Sequence, residues 1–305
     1  MKRERGFTIS ELLVAVAVGA FVILIAAMTL VSASASYVAQ TEAAMVDDAG
    51  RFALAAIERA ARQAGFADLD RDDAAGEPDP AAPPFIMGLD AASLSSDSDA
   101  LTNPRPAAIN GSDVLALRFA GSGKAGGDGS ALTCAGFTVG AGQEGWSIFY
   151  VGSSAKGEPE LRCKYRGANN WSAEAVVGGV DSFQVLYGVD TDAVADGQAN
   201  RFVSATDITA HDANLAPEAD SMGTIVPDTW WKRVASIKVA LVLHGARRSK
   251  GVGSAAVFDL FGAAYSAAAP GDLGVHVEKA NMALPLRDRE RRTFSSTIQL
   301  RNVAH

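Results

Sequence analysis

The sequence predicts an α+β protein in which one long N-terminal helix, membrane-spanning in its first half, packs against an antiparallel β-sheet head. Three observations predict it. Leu12–Val31 is a nearly unbroken, uncharged apolar run of 20 residues, which as helix covers about 30 Å, one bilayer core. Helical periodicity then continues well past that run. From residue 114 onward the apolar residues switch to alternation with a period of two, in short segments separated by turn residues.

Taken in order, residues 1–6 form a basic leader whose Lys2, Arg3 and Arg5 orient the segment with its start in the cytoplasm. Ala33-Ser34-Ala35 would fit a secretory cleavage site, but the apolar run exceeds the roughly 7–15 residues of such a signal. Between Ala20 and Ala49 there is neither glycine nor proline, and Val38, Met45, Ala49, Phe52, Ala56 and Ala60 recur at helical spacing. Gly50 is a soft point in this helix and Gly65 a C-cap. One helix from Phe7 to about Ala64 would span roughly 85 Å. It divides into residues 7–31, apolar all round, and residues 32–66, an amphipathic continuation that needs a folded partner.

Residues 67–305 are the head. Six of the 11 prolines lie between Pro78 and Pro106, so Asp68–Gly111 reads as a long surface excursion and not as a linker. Strands are expected at Val114–Phe119, Leu132–Val139, Ser147–Val151, Leu161–Tyr165, Phe183–Val189, Ile237–Leu243 and Thr297–Arg301, with a second surface loop over Asp190–Pro227.

Charge narrows the function. The formal charge is −8, and loss of residues 1–6, with three basic groups and one acidic, would make it −10. That balance argues against general nucleic-acid binding, which needs clustered cations; Arg287–Arg292 (RDRERR) is the local basic patch to watch, and it reads as a solvated face. Cys134 and Cys163 lack the further ligands a zinc site requires. In an oxidising compartment they would pair, stabilising the fold by roughly 3–4 kcal/mol in the chain-entropy picture; two buried free thiols are the alternative.

No motif recommends an enzyme. Gly121-Ser122-Gly123-Lys124-Ala125-Gly126 satisfies G-x-G-x-x-G, yet glycines and an expected strand follow it where a dinucleotide site needs a helix, so it reads as a hairpin loop. His211, His244, His276 and His305 are scattered, with no H-E-x-x-H pair and no nucleophile elbow. Trp230-Trp231 reads as core or interface. Asp190, Asp192 and Asp196 resemble a stretched calcium loop, but the third acid comes two residues late and Arg201 stands about where the bidentate glutamate belongs. A solvated turn is the other reading, and no cofactor is expected.

Glu11 is the residue that none of this explains. A carboxylate at the threshold of a membrane span is costly and wants a partner. The stretch Gly6-Phe7-Thr8-Ile9-Ser10-Glu11-Leu12 resembles the type III signal of type IV prepilins and pseudopilins. That resemblance implies a pilin-like fold, cleavage between Gly6 and Phe7 by a prepilin peptidase, N-methylation of Phe7, and an assembly role for Glu11 against an N-terminal amine. Ser10 and Met28 depart from the common pattern. Gly50–Phe66 (GRFALAAIERAARQAGF), Val180–Asp190, Trp231–Val234 and Arg292–Asn302 resemble the PilW type of minor pilin. The resemblance implies a non-catalytic subunit of pilus assembly, in a priming or tip complex. Its partners would be other minor pilins, the major pilin, the inner-membrane assembly platform and, before assembly, the lipid bilayer. It would sit in the inner membrane as a single-pass protein with a periplasmic head, then in the pilus at the cell surface. A minor pseudopilin of a type II secretion system and a pilus-tip adhesin are the alternative functions.

Overall fold

The computed structural model describes residues 6, 8–67, 82–106, 109–167, 169–215, 218–219, 225–226, 229–248 and 257–302. The chain divides into two compact units, residues 1–45 and 46–305. A single helix, α1 (Ile9–Gln63), runs through both. In the first unit its apolar residues other than Ala43 are exposed, the whole of Leu12–Val31 included, and the helix is long and apolar enough to cross a membrane. A helix that is apolar on every face belongs inside protein or lipid, and here no protein covers it.

The second unit is the head. Its first sheet is a five-stranded antiparallel array in the order β1 (Ile86–Leu89), β2 (Val114–Ala120), β3 (Glu144–Ser153), β4 (Pro159–Arg166) and β5 (Trp171–Gly178). A second, four-stranded sheet uses β6 (Val180–Val189), β7 (Arg201–Val203), β8 (Val234–Arg248) and β9 (Arg289–Gln299) in the order β9-β8-β6-β7. Only Gly179 separates β5 from β6. Its φ of +76° is the left-handed conformation that glycine adopts without strain, and a Cβ there would lie 2.6 Å from the carbonyl oxygen of His244. The chain therefore changes sheets in one residue.

All ten residues of β6 are buried, because both of its faces are covered. Phe183, Val185, Tyr187 and Val189 share the main core with Leu115, Leu117, Phe149 and Leu161 of the first sheet. On the opposite face Ser182 Oγ donates to the Gly274 carbonyl and Gln184 Nε2 to that of Gly111.

From Val46 onward α1 packs into the same core, through Val46, Ala53, Ile57, Ala60, Ala61 and Ala64. Of the expected stripe, Ala56 and Ala60 are buried, whereas Met45 and Phe52 are 50% and 57% exposed. Close approach selects the face of small residues over the face of large ones. Gly50 is where this is tightest: a Cβ there would lie 2.4 Å from the ring of Phe294 on β9. It is a contact point in an unbroken helix, not a soft one. The helix ends as expected, with Gly65 at φ +72°, and Asn302 Nδ2 donates to the carbonyls of Arg62 and Ala64, which the helix cannot satisfy internally.

Several expected elements shift. Leu132–Val139 is not a strand; it holds a turn with one bridge, Leu132 to Thr138, and the glycine loop before it is part of the long connection between β2 and β3. Asp68–Gly111 is not all surface, since Ile86–Leu89 pairs with β2 and Ala92 and Leu94 are buried; residues 68–81 and 107–108 lie outside the described residues. Asp190–Pro227 contains β7 and a short helix, α2 (Ala205–Asp212), whose first two backbone N–H groups donate to Asp90.

Lys164 is the one lysine wholly inside the described head. Its Nζ donates to Ser98 Oγ and the Ala100 carbonyl, both at 2.9 Å, and lies 5.3 Å from the Trp171 ring.

Two outcomes are expected. Gly50→Val should lower the unfolding free energy by about 1–3 kcal/mol through overpacking, and Phe294→Ala in the same chain should recover part of that; denaturant melts that match wild type would show the contact to be slack. Burial pushes the Lys164 ammonium down to about 8, with Asp97 and Asp99 pulling the other way. The unfolded chain keeps that proton to about pH 10.4, so it binds more protons than the folded chain above pH 8. Stability should therefore rise with pH through that window. Urea melts between pH 7.5 and 10 should show this rise in wild type and a flatter one in Lys164→Met.

Candidate functional site at the helix N-terminus

Thr8 precedes the first helical residue and caps it. Thr8 Oγ1 accepts from the Glu11 backbone N–H at 3.3 Å, while Glu11 Oε2 accepts from the Thr8 N–H and hydroxyl, each at 2.9 Å. This is a reciprocal capping box, Thr-x-x-Glu, and it satisfies two N–H groups that the helix leaves open. The sequence signal for it was the spacing of Thr8 and Glu11. Glu11 Oε1 has no partner among the described residues, so the box consumes one carboxylate oxygen and leaves the other open. The carboxylate also sits at the positive end of the helix dipole.

Gly6 precedes this box, and a Cβ built on it would meet nothing within 4 Å. Space within the chain therefore does not require glycine there. Phe7 lies outside the described residues. The first helical residue is Ile9, so the Gly6–Phe7 bond stands ahead of the helix.

The chain matches the family described as type IV pilus-assembly protein W over residues 148–302, half of its length. Residues 1–27 match the prokaryotic N-terminal methylation motif. The chain belongs to the PilW family. It is a minor pilin of type IV pilus assembly, and the methylation motif implies processing by a prepilin peptidase. Among solved structures, a type IV-like pilin from Thermus thermophilus is similar at 14% identity and a TM-score of 0.38, over 86% of this chain and 100% of that one. No curated protein matches the chain in sequence.

The other residues singled out in this minor pilin are used structurally. Cys134 and Cys163 form a disulfide with a Cα–Cα distance of 5.9 Å, within the usual range. It ties the Leu132–Thr138 turn to β4. Three arginines of the RDRERR run are ion-paired, while Asp288 stays exposed. Arg291 is wholly buried, with Nε 2.7 Å from Asp181 Oδ2, and its remaining nitrogens donate to the carbonyls of Leu286, Arg287 and Arg289. Arg289 pairs with Glu158 and Arg292 with Asp47 on α1.

Three histidines are also committed. His244 Nδ1 lies 2.9 Å from Asp181 Oδ1, His211 stacks on Trp230 at 3.6 Å, and His276 sits between Asp259 and Glu278. His305 lies outside the described residues. Trp231 meets the Tyr187 ring edge-on at 4.8 Å, as a core residue would.

Asp190, Asp192 and Asp196 do converge, with carboxylate oxygens within 4.8 Å of one another. Asp190 is the buried member. Its Oδ1 accepts from the Asp192 N–H, and its Oδ2 from the N–H groups of Asp196 and Gly197. Arg233 Nη2 stands 4.0 Å away. A cation would have to share Asp190 with three donors and a guanidinium, leaving two exposed carboxylates to hold it.

Proposed function

We propose that this minor pilin is cut between Gly6 and Phe7 and methylated on Phe7. Residues 7–31 would hold it in the inner membrane, with the head in the periplasm, until the assembly platform draws it into a filament. There it acts with other minor pilins and the major pilin in the complex that primes and tips the pilus. The carrying observation is the divided carboxylate of Glu11. One oxygen closes the cap and the other has no partner among the described residues, at the start of an apolar helix segment that is exposed over Leu12–Val31; it would take the N-terminal amine of a neighbouring subunit. In a bundle of such helices that pair would be shielded from water, where an unpaired charge is costly. No cofactor belongs to this reading; the donors around Asp190 support that part of it.

The test separates the pairing role from the capping role. Glu11→Gln keeps an acceptor oxygen for the cap and loses the charge. Thr8→Ala loses the cap, about 1 kcal/mol, and keeps the charge. Both should be processed, giving by mass spectrometry a chain that begins at N-methylated Phe7, while Gly6→Val should keep its leader. In sheared filaments Glu11→Gln should fall about tenfold, equivalent to ~1.4 kcal/mol, and Thr8→Ala should stay near wild type. Equal losses in the two variants would reduce Glu11 to a cap.

A further inference from the structure

Beside the disulfide the head carries a groove of about 750 Å³ on which neither the family match nor the assembly reading draws. Its floor is aromatic. Phe137 is 54% exposed, and its ring lies 4.9 Å from that of the buried Tyr165, inclined by 29°. One face of Phe137 is therefore covered and the other is presented to solvent. The turn that carries it is braced three ways. Cys134 is bonded to Cys163, the Thr133 N–H donates to the Phe137 carbonyl, and the Phe137 N–H donates to Thr133 Oγ1. A phenylalanine fixed in this way, half outside the protein, costs hydration without contributing to the core.

The walls are polar and flat. Gln143 spends its carbonyl oxygen on the Gly140 N–H, and its amide nitrogen has no partner among the described residues. The side chains of Asn170 and Ser172 line the groove with no partner among the described residues. Charge is divided unequally. Glu144 is neutralised by Arg118 at 2.7 Å and by the Trp146 indole N–H at 2.8 Å. Arg166 is exposed and has no ion pair among the described residues. The groove therefore offers one rigid ring face, several planar amide or hydroxyl groups, and one open guanidinium.

We propose that this groove binds an acidic glycan, with a pyranose ring stacked on Phe137 and a uronate carboxylate on Arg166. Sugar rings present C–H groups on one face and hydroxyls at the edge, matching an aromatic floor with amide walls. A bidentate guanidinium–carboxylate pair supplies the selectivity for acid over neutral sugar. The acidity of the whole chain does not oppose this, because at physiological salt charges beyond about 8 Å are largely screened.

The proposal is independent of filament assembly, and its test keeps the two apart. Full-length protein in detergent micelles is titrated with a hexasaccharide of alternating glucuronate and N-acetylglucosamine, and with the same oligosaccharide after reduction of its carboxylates to alcohols. Saturation-transfer NMR and calorimetry read the binding. Phe137→Ala should weaken both ligands about tenfold, the loss expected for one ring face. Arg166→Gln should weaken the acidic ligand about tenfold and leave the reduced one unchanged. Pilus counts on cells carrying either variant should equal wild type. Absence of saturable binding, or binding indifferent to both substitutions, overturns the proposal. Lost pili with unchanged glycan binding would make the groove a subunit contact and overturn it equally.

Discussion

Asp181 holds the head together. It follows by two residues the glycine at which the chain leaves one sheet for the other, and its two oxygens reach a guanidinium and an imidazole, both nearly without exposure. Through Arg291 it fixes β9, and through His244 it fixes β8. Arg291 in turn satisfies three carbonyls of the segment leading into β9. A buried charge of this kind contributes less by attraction than by what its loss would leave behind. Removing one partner strands another in a low-dielectric site, at a cost of about 3–5 kcal/mol. The one-residue crossing at Gly179 tolerates little movement, so the register of the second sheet rests on this cluster.

With that sheet in register, Phe294 is presented at a fixed height, and α1 meets it with the residue that has no side chain, Gly50. The row of alanines that follows lets helix and sheet approach closely, and close-packed interiors respond to changes of a single methylene. Asn302 then closes the C-terminal end of the helix, and Asp47 pairs with Arg292. The same helix obeys opposite rules in its two parts. Up to residue 31 aliphatic side chains dominate every face, as a lipid or a helical bundle demands. From Val46 onward mostly small residues face the sheet and charged ones face water.

Function divides along similar lines. The N-terminal chemistry is short-range: a cap, an open carboxylate oxygen and an unhindered glycine ahead of the helix. What the head offers is shape, with a disulfide-braced turn, a long acidic loop closed on its own backbone and a groove with one open cation. A subunit whose business is contact needs rigid surfaces, and here most of the ionisable groups that could carry chemistry are paired instead.

What the sequence determined by itself is what depends on neighbours along the chain. The apolar run, the C-cap at Gly65 and the alternation in β2, β3, β4, β6 and β8 are all local patterns and were read as such; the Thr8–Glu11 cap was missed, although its Thr-x-x-Glu spacing is equally local. The pairing of Cys134 with Cys163 was legible because two cysteines allow one bridge. Only tertiary structure decided which face of α1 is buried, because apolar side chains mark a stripe but close approach prefers small ones. It also drew Arg289, Arg291 and Arg292 of an expected solvated run into ion pairs and buried Arg291. Arg291 and Asp181 stand 110 residues apart, and Arg292 and Asp47 stand 245 apart. The strands Ile86–Leu89 and Trp171–Gly178 were missed for the same reason. One is short, the other is an edge strand with much of its length exposed, and each is a strand because a neighbour supplies its hydrogen bonds, which no pattern within four or eight residues can reveal.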